Sequence, residues 1–80
     1  MAPKFPVDAP LPRVIRAFER LGFTVVRKGN HVSMSRDASA GAKNHLTIPG
    51  HRNIKKATLR SICTQAEIAR DDFLAAYNES

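Results

Sequence analysis

Eighty residues set the scale of one domain with a single thin core, too small to enclose a deep pocket under its own lid, so an active site is expected on a shallow surface. Lys and Arg number 13 against 7 Asp and Glu, and the excess is uneven: residues 1–60 hold 12 basic and 3 acidic side chains (+9), residues 61–80 hold 1 and 4 (−3), so a polyanion would bind the first sixty residues. The lone Cys63 excludes an intrachain disulfide and suits a reducing compartment, no apolar run approaches the ~20 residues of a membrane span, and the first residues lack the apolar centre of a signal peptide, so the expected setting is the cytoplasm, with no membrane.

Pro3, Pro6, Pro10 and Pro12 crowd the first twelve positions. Proline lacks the N–H that regular structure uses, so residues 1–10 are expected to form a loose, Pro-rich arm and residues 11–80 the domain. From Leu11 the apolar positions Val14, Ile15, Phe18 and Leu21 recur at helical spacing, with Pro12 suited to a first turn and Gly22 to a stop. Three short strands are expected near 23–27, 31–36 and 44–48, the last two joined by a small, polar loop over 37–43. A second helix follows Asn53, read as its N-cap, and buries Leu59, Ile62, Cys63 and Ala66; a short third helix around 70–77 turns Phe73, Leu74 and Tyr77 inward. Cys63 on that apolar stripe reads as a small buried hydrophobe, not a nucleophile. The result is an α+β domain of order α-β-β-β-α with a three-stranded antiparallel sheet, helices on one face and an extra C-terminal helix. Such an arrangement leaves the other sheet face in water.

The side chain with most to offer that wet face is His31, in the run Arg27-Lys28-Gly29-Asn30-His31. Gly29-Asn30 reads as a two-residue hairpin turn, which pairs Lys28 with His31, Val26 with Ser33 and Val25 with Met34. Alternation sends Val32 and Met34 to the core and His31, Ser33 and Ser35 to the polar face. A symmetric second hairpin sets Ser33 near Thr47, Ser35 near His45 and His31 near Pro49, with His51 just beyond. Histidine is the side chain that exchanges a proton near neutral pH, so His31 is a candidate general base. On RNA the natural proton is that of the ribose 2′-hydroxyl, whose oxygen attacks the adjacent phosphate, while Lys28 or Arg27 stabilises the charge that develops. His51 or His45 is a candidate proton donor to the leaving oxygen. The bland alternative is that His31 merely ends a turn and the cations merely solvate a small domain. The histidines lie 14 and 6 residues apart with no Cys-x-x-Cys and no helical pair, so no metal and no other cofactor is expected.

A second feature is the run from Ile48 to Arg60, where Arg52, Lys55 and Lys56 gather at a helix start. Cations there oppose the helix dipole, which points to phosphate as their partner. These two runs together resemble the HicA family of bacterial toxins. The resemblance covers about residues 11–77: Leu21-Gly22-Phe23 followed by Thr24-Val25-Val26-Arg27, then Gly29-Asn30-His31 where the family has Gly-Ser-His, then Ile48-Pro49-Gly50-His51 and Lys55-Lys56-Ala57-Thr58-Leu59-Arg60-Ser61-Ile62. It implies a double-stranded-RNA-binding-domain-like (dsRBD-like) fold, an mRNA interferase activity with His31 catalytic, and a HicB-type antitoxin as partner; from their charge and placement, Arg27, Arg52, Lys55, Lys56 and Arg60 are the expected RNA contacts. Departures are Asn30 for serine, Val32 for a frequent second histidine, and Ala57 and Glu67 for glycines, the last placing the usual break before the terminal helix in question. A non-catalytic RNA-binding module of the same fold is the competing expectation, since A-form RNA is bound by shape without an activated histidine. A domain whose basic face serves only protein contacts is the third.

Overall fold

A computed structural model describes residues 4–37 and 41–80, so residues 1–3 of the expected arm and 38–40 of the expected loop lie outside the described residues. The chain runs β1 (Asp8–Pro10), α1 (Leu11–Arg20), β2 (Thr24–Lys28), β3 (His31–Asp37), β4 (Lys43–Pro49), β5 (Asn53–Lys55), α2 (Lys56–Gln65) and α3 (Arg70–Asn78). Strands β2-β3-β4 form an antiparallel sheet in that order, and the fold is α+β, compatible with the dsRBD-like arrangement.

Helix α1 buries Val14, Ala17 and Phe18 and has proline in its first turn, where the missing donor costs nothing. It ends in a Schellman motif: Phe23 N–H donates to Phe18 O and Gly22 N–H to Glu19 O, both at 3.0 Å, with Gly22 at φ 97°. The accompanying hydrophobic contact is the edge-to-face pair Phe18–Phe23, 5.8 Å between centroids. Thus the Gly-Phe pair both stops the helix and plants a core aromatic ahead of the sheet.

Along β3 and β4, Val32, Met34, Leu46 and Ile48 are buried while His31, His45 and Thr47 are exposed, so the period of two sorts one face to the core and one to solvent. The second hairpin has the expected register, His31↔Pro49, Ser33↔Thr47 and Ser35↔His45. The first hairpin does not. Val25 lies opposite Met34 as expected, but a bulge at Val26 shifts the pairing to Arg27↔Ser33 and Lys28↔Val32, so Lys28 does not pair with His31. The connection is longer than two residues, and neither Gly29 nor Asn30 adopts the positive φ that a two-residue turn demands.

The arm is not loose throughout. Asp8–Pro10 pairs antiparallel with Asn53–Lys55, burying Ala9 and Ile54 completely or nearly so. Backbone bonds clamp both ends, Leu11 N–H to Arg52 O (2.9 Å) and Lys56 N–H to Val7 O (3.2 Å). Pro10 is tolerated because it stands at the last position of a two-stranded edge, where its absent donor breaks no ladder. Asn53 therefore belongs to β5 and is not the N-cap; α2 starts three residues later with Lys55 as a cap that offers no side-chain bond.

Helix α2 buries Leu59, Ile62 and Cys63, and Gln65 near its end accepts a hydrogen bond from Thr47 N–H (3.3 Å) at the open edge of β4. The break before α3 survives without glycine. Glu67 takes φ 58° in a second Schellman motif, Ile68 N–H to Cys63 O (2.9 Å) and Glu67 N–H to Thr64 O (3.2 Å). Helix α3 then packs Phe73 tilted against Phe18 (5.0 Å) and stacked with Tyr77 (5.7 Å), with Phe5 also against it at a tilt (5.9 Å). Arg13 lies over the Tyr77 ring (4.1 Å) and donates to Tyr77 O (3.2 Å), locking α1 to α3. Among the described residues no polar side chain is buried, so one apolar cluster carries the fold.

Candidate functional site

His31 opens β3 on the outer face of the sheet, exposed, with Pro49 as its cross-strand partner. It lines an open recess of about 300 Å³ together with Arg27, Gly29, Asn30 and Ser33. The bulge creates this grouping: it brings Arg27 opposite Ser33, two residues from His31 on the same face, and sends Lys28 to the position opposite inward-facing Val32. No carboxylate lines the recess, so its field is cationic. The basic group beside His31 is thus Arg27, whose planar fork of donors suits a phosphate better than a lysine point charge.

The hairpin turn is pinned from the far strand. Gly50 N–H donates to Asn30 O at 2.9 Å, and a Cβ at Gly50 would overlap that oxygen and lie 3.0 Å from its carbon. Only glycine lets the two backbones approach this closely. Gly29 N–H in turn donates to His31 O (3.1 Å), so the carbonyls of Asn30 and His31 are both tied by backbone bonds. The role of Gly50 was hidden in the sequence, where Pro-Gly reads as an ordinary turn.

His51 follows Gly50 and lines a neighbouring recess of about 290 Å³ with Pro49, Asn53, Ile54, Lys55 and Thr58. Pro49, which lines this second recess, is the cross-strand partner of His31. His45 shares the outer face but stands opposite Ser35, four residues along β3 from His31, a separation of about 13 Å at strand rise. That is too far for the two imidazoles to serve one bond, which leaves His51, two residues beyond the cross-strand partner Pro49, as the other candidate.

The expected phosphate contacts do not share one patch. Arg27 belongs to the His31 recess and Lys55 to the His51 recess, while Lys56 and Arg60 line a third, shared with Lys4 and Arg70. Arg52 is exposed in the segment before β5. Lys55 is paired, its Nζ 2.9 Å from Asp8 Oδ1 across the β1–β5 ladder, an exposed contact of modest worth that a phosphate can displace. Sequence reading missed Asp8, Lys4 and Arg70, because their relevance depends on how the arm folds back.

Cys63 is not part of the site. It is buried, and desolvation raises its thiol from an ordinary 9.0 to about 11, so it stays protonated and unreactive at neutral pH. Among the described residues no three histidine, cysteine or carboxylate side chains gather as a metal-binding group. Among the described residues no helix is long and apolar enough to cross a membrane.

A family model described as HicA toxin of bacterial toxin-antitoxin matches residues 12–68, well over half of the chain and including β2 to β5 and α2. No curated protein and no solved structure matches the chain.

Proposed function

Because the chain belongs to the HicA family of bacterial toxin–antitoxin toxins, we propose that it is a cytoplasmic endoribonuclease that cleaves mRNA with His31 as its general base. The observation that carries this reading is an exposed imidazole at a strand start whose backbone is tied by hydrogen bonds, lining with Arg27 a cationic recess free of carboxylates. His31 takes the proton of a ribose 2′-hydroxyl. The freed oxygen attacks the adjacent phosphorus, the bond to the 5′ oxygen breaks, and the products are a 2′,3′-cyclic phosphate and a 5′-hydroxyl. Arg27 donates to the phosphorus oxygens as negative charge grows there, with Lys28 adding charge from the strand end. His51 is the proton donor to the departing 5′ oxygen. Arg52, Lys55, Lys56 and Arg60 contact the RNA backbone. The chemistry requires no metal and no other cofactor.

A toxin needs an antitoxin, and a HicB-type protein is its proposed partner, one that presents carboxylates to the basic face. The test is incubation of the protein with single-stranded RNA in chelator beside a His31→Ala variant. Cleavage by the parent alone, leaving 2′,3′-cyclic ends, supports the reading. Equal binding by both without cleavage would instead make the chain a non-catalytic RNA-binding module.

A further inference from the structure

We infer that the recess between residues 4–5, α2 and the start of α3 is a second docking site for the RNA strand, separate from the His31 recess. It encloses about 580 Å³, about twice the volume of the recess at His31, and none of its lining residues is shared with it. Lys4, Lys56, Arg60 and Arg70 converge on it from three segments of the chain, and no carboxylate lines it. All four cations are exposed, and Phe5 forms an apolar floor held in place against Phe73.

Like charges gathered around one hollow repel, and that arrangement is favourable only when an anion is bound. The nearby carboxylates leave it positive: Asp8 is engaged with Lys55, and Asp71 reaches only Arg70, at 3.9 Å and in solvent. Several cations around an apolar floor, in a volume typical of ligand sites, suit a stretch of nucleic acid with its phosphates and its apolar ribose and base surfaces. Lys4, Phe5 and Arg70 all fall outside residues 12–68, so the recess is completed by segments beyond the family match. This inference rests on the ribonuclease reading for the identity of its occupant.

The test measures binding, not cleavage. Labelled single-stranded RNA is titrated with the His31→Ala protein, which leaves the strand intact, over a range of salt. Removing two phosphate contacts with Lys4→Ala/Arg70→Ala is expected to weaken binding and to flatten the plot of log K against log salt by about 1.4, at ~0.7 per contact on a single strand. Arg16→Ala/Arg20→Ala, which removes the same charge from α1, is expected to leave the slope unchanged. An unaltered slope in the Lys4/Arg70 variant overturns the proposal, as does an equal flattening by the α1 control. Loss of affinity for poly-glutamate with RNA binding intact also overturns it, in favour of an acidic protein segment. If the parent fails to cleave RNA while the slope change stands, the ribonuclease reading falls and the docking site remains; the reverse pattern removes only the docking site.

Discussion

Gly50→Ala tests whether the two hairpins must touch to build the His31 recess. The added methyl would overlap Asn30 O and approach its carbon to 3.0 Å, and both atoms are backbone with no side-chain torsion to yield. The turn must move, and the 2.9 Å bond from Gly50 N–H is strained or lost. Overpacking costs about 1–3 kcal/mol and the bond about 0.5–1.5, offset by ~0.4–1 from the stiffer unfolded chain, for a net loss near 2 kcal/mol. For a domain of this size that lowers the thermal midpoint by roughly 8–16 °C. Gly29→Ala is the control, since nothing lies within 4 Å of its Cβ and its φ is not in the left-handed region; it is expected to be neutral or slightly stabilising. Circular dichroism melts of the two variants decide the matter. Equal midpoints would refute the claim that Gly50 is held by contact with the turn. At a temperature where both are folded, Gly50→Ala is also expected to cleave RNA more slowly than the parent, because Asn30 adjoins His31.

Glu67→Gly is expected to raise stability by about 0.5–1 kcal/mol in a urea titration, because relief of ~1–2 kcal/mol of left-handed strain at φ 58° exceeds the entropy cost of glycine; a lowered midpoint would refute that strain. Cys63 is expected to resist alkylation at pH 8 until urea unfolds the chain, and stoichiometric labelling of the folded protein would contradict its burial. Folding favours the protonated thiol, so its contribution is fully present below about pH 9 and is lost as pH rises from 9 towards 11; Cys63→Ala is expected to remove that part of the alkaline decline. Arg27→Ala is expected to lower kcat by about 10-fold or more while Lys28→Ala changes it little, and the opposite order would mean that the bulge at Val26 does not set the site.

Strong periodicity made much of this legible in the sequence. The apolar spacing of Leu11, Val14, Ile15, Phe18 and Leu21 and the alternation around Val32 and Met34 each have one physical solution, and they led to the helix, the sheet faces and the second hairpin register. The first hairpin was read one residue short because a bulge leaves no compositional trace when the extra residue is a valine, exposed here at 65%. Strands β1 and β5 were missed for another reason. Each has three residues, one contains proline, and their pairing joins positions 8–10 to 53–55, a contact that no local signal announces. Glu67 shows the limit of reading glycine as the mark of a helix stop: the backbone bonds and Ile68 burial hold the same turn against the preference of its side chain. Of the candidate site, His31 and its face were legible, but the exchange of Lys28 for Arg27 at its side and the grip of Gly50 on the turn were not.

The claim that His31 acts on a ribose hydroxyl is tested most directly by an RNA whose cleavage site has been mapped and whose single ribose at that site is then replaced by 2′-deoxyribose. Binding is expected to equal that of the all-ribose strand, with no cleavage at that bond, because the proton to be taken and the attacking oxygen are both absent. Cleavage at the same bond of the substituted strand would contradict it.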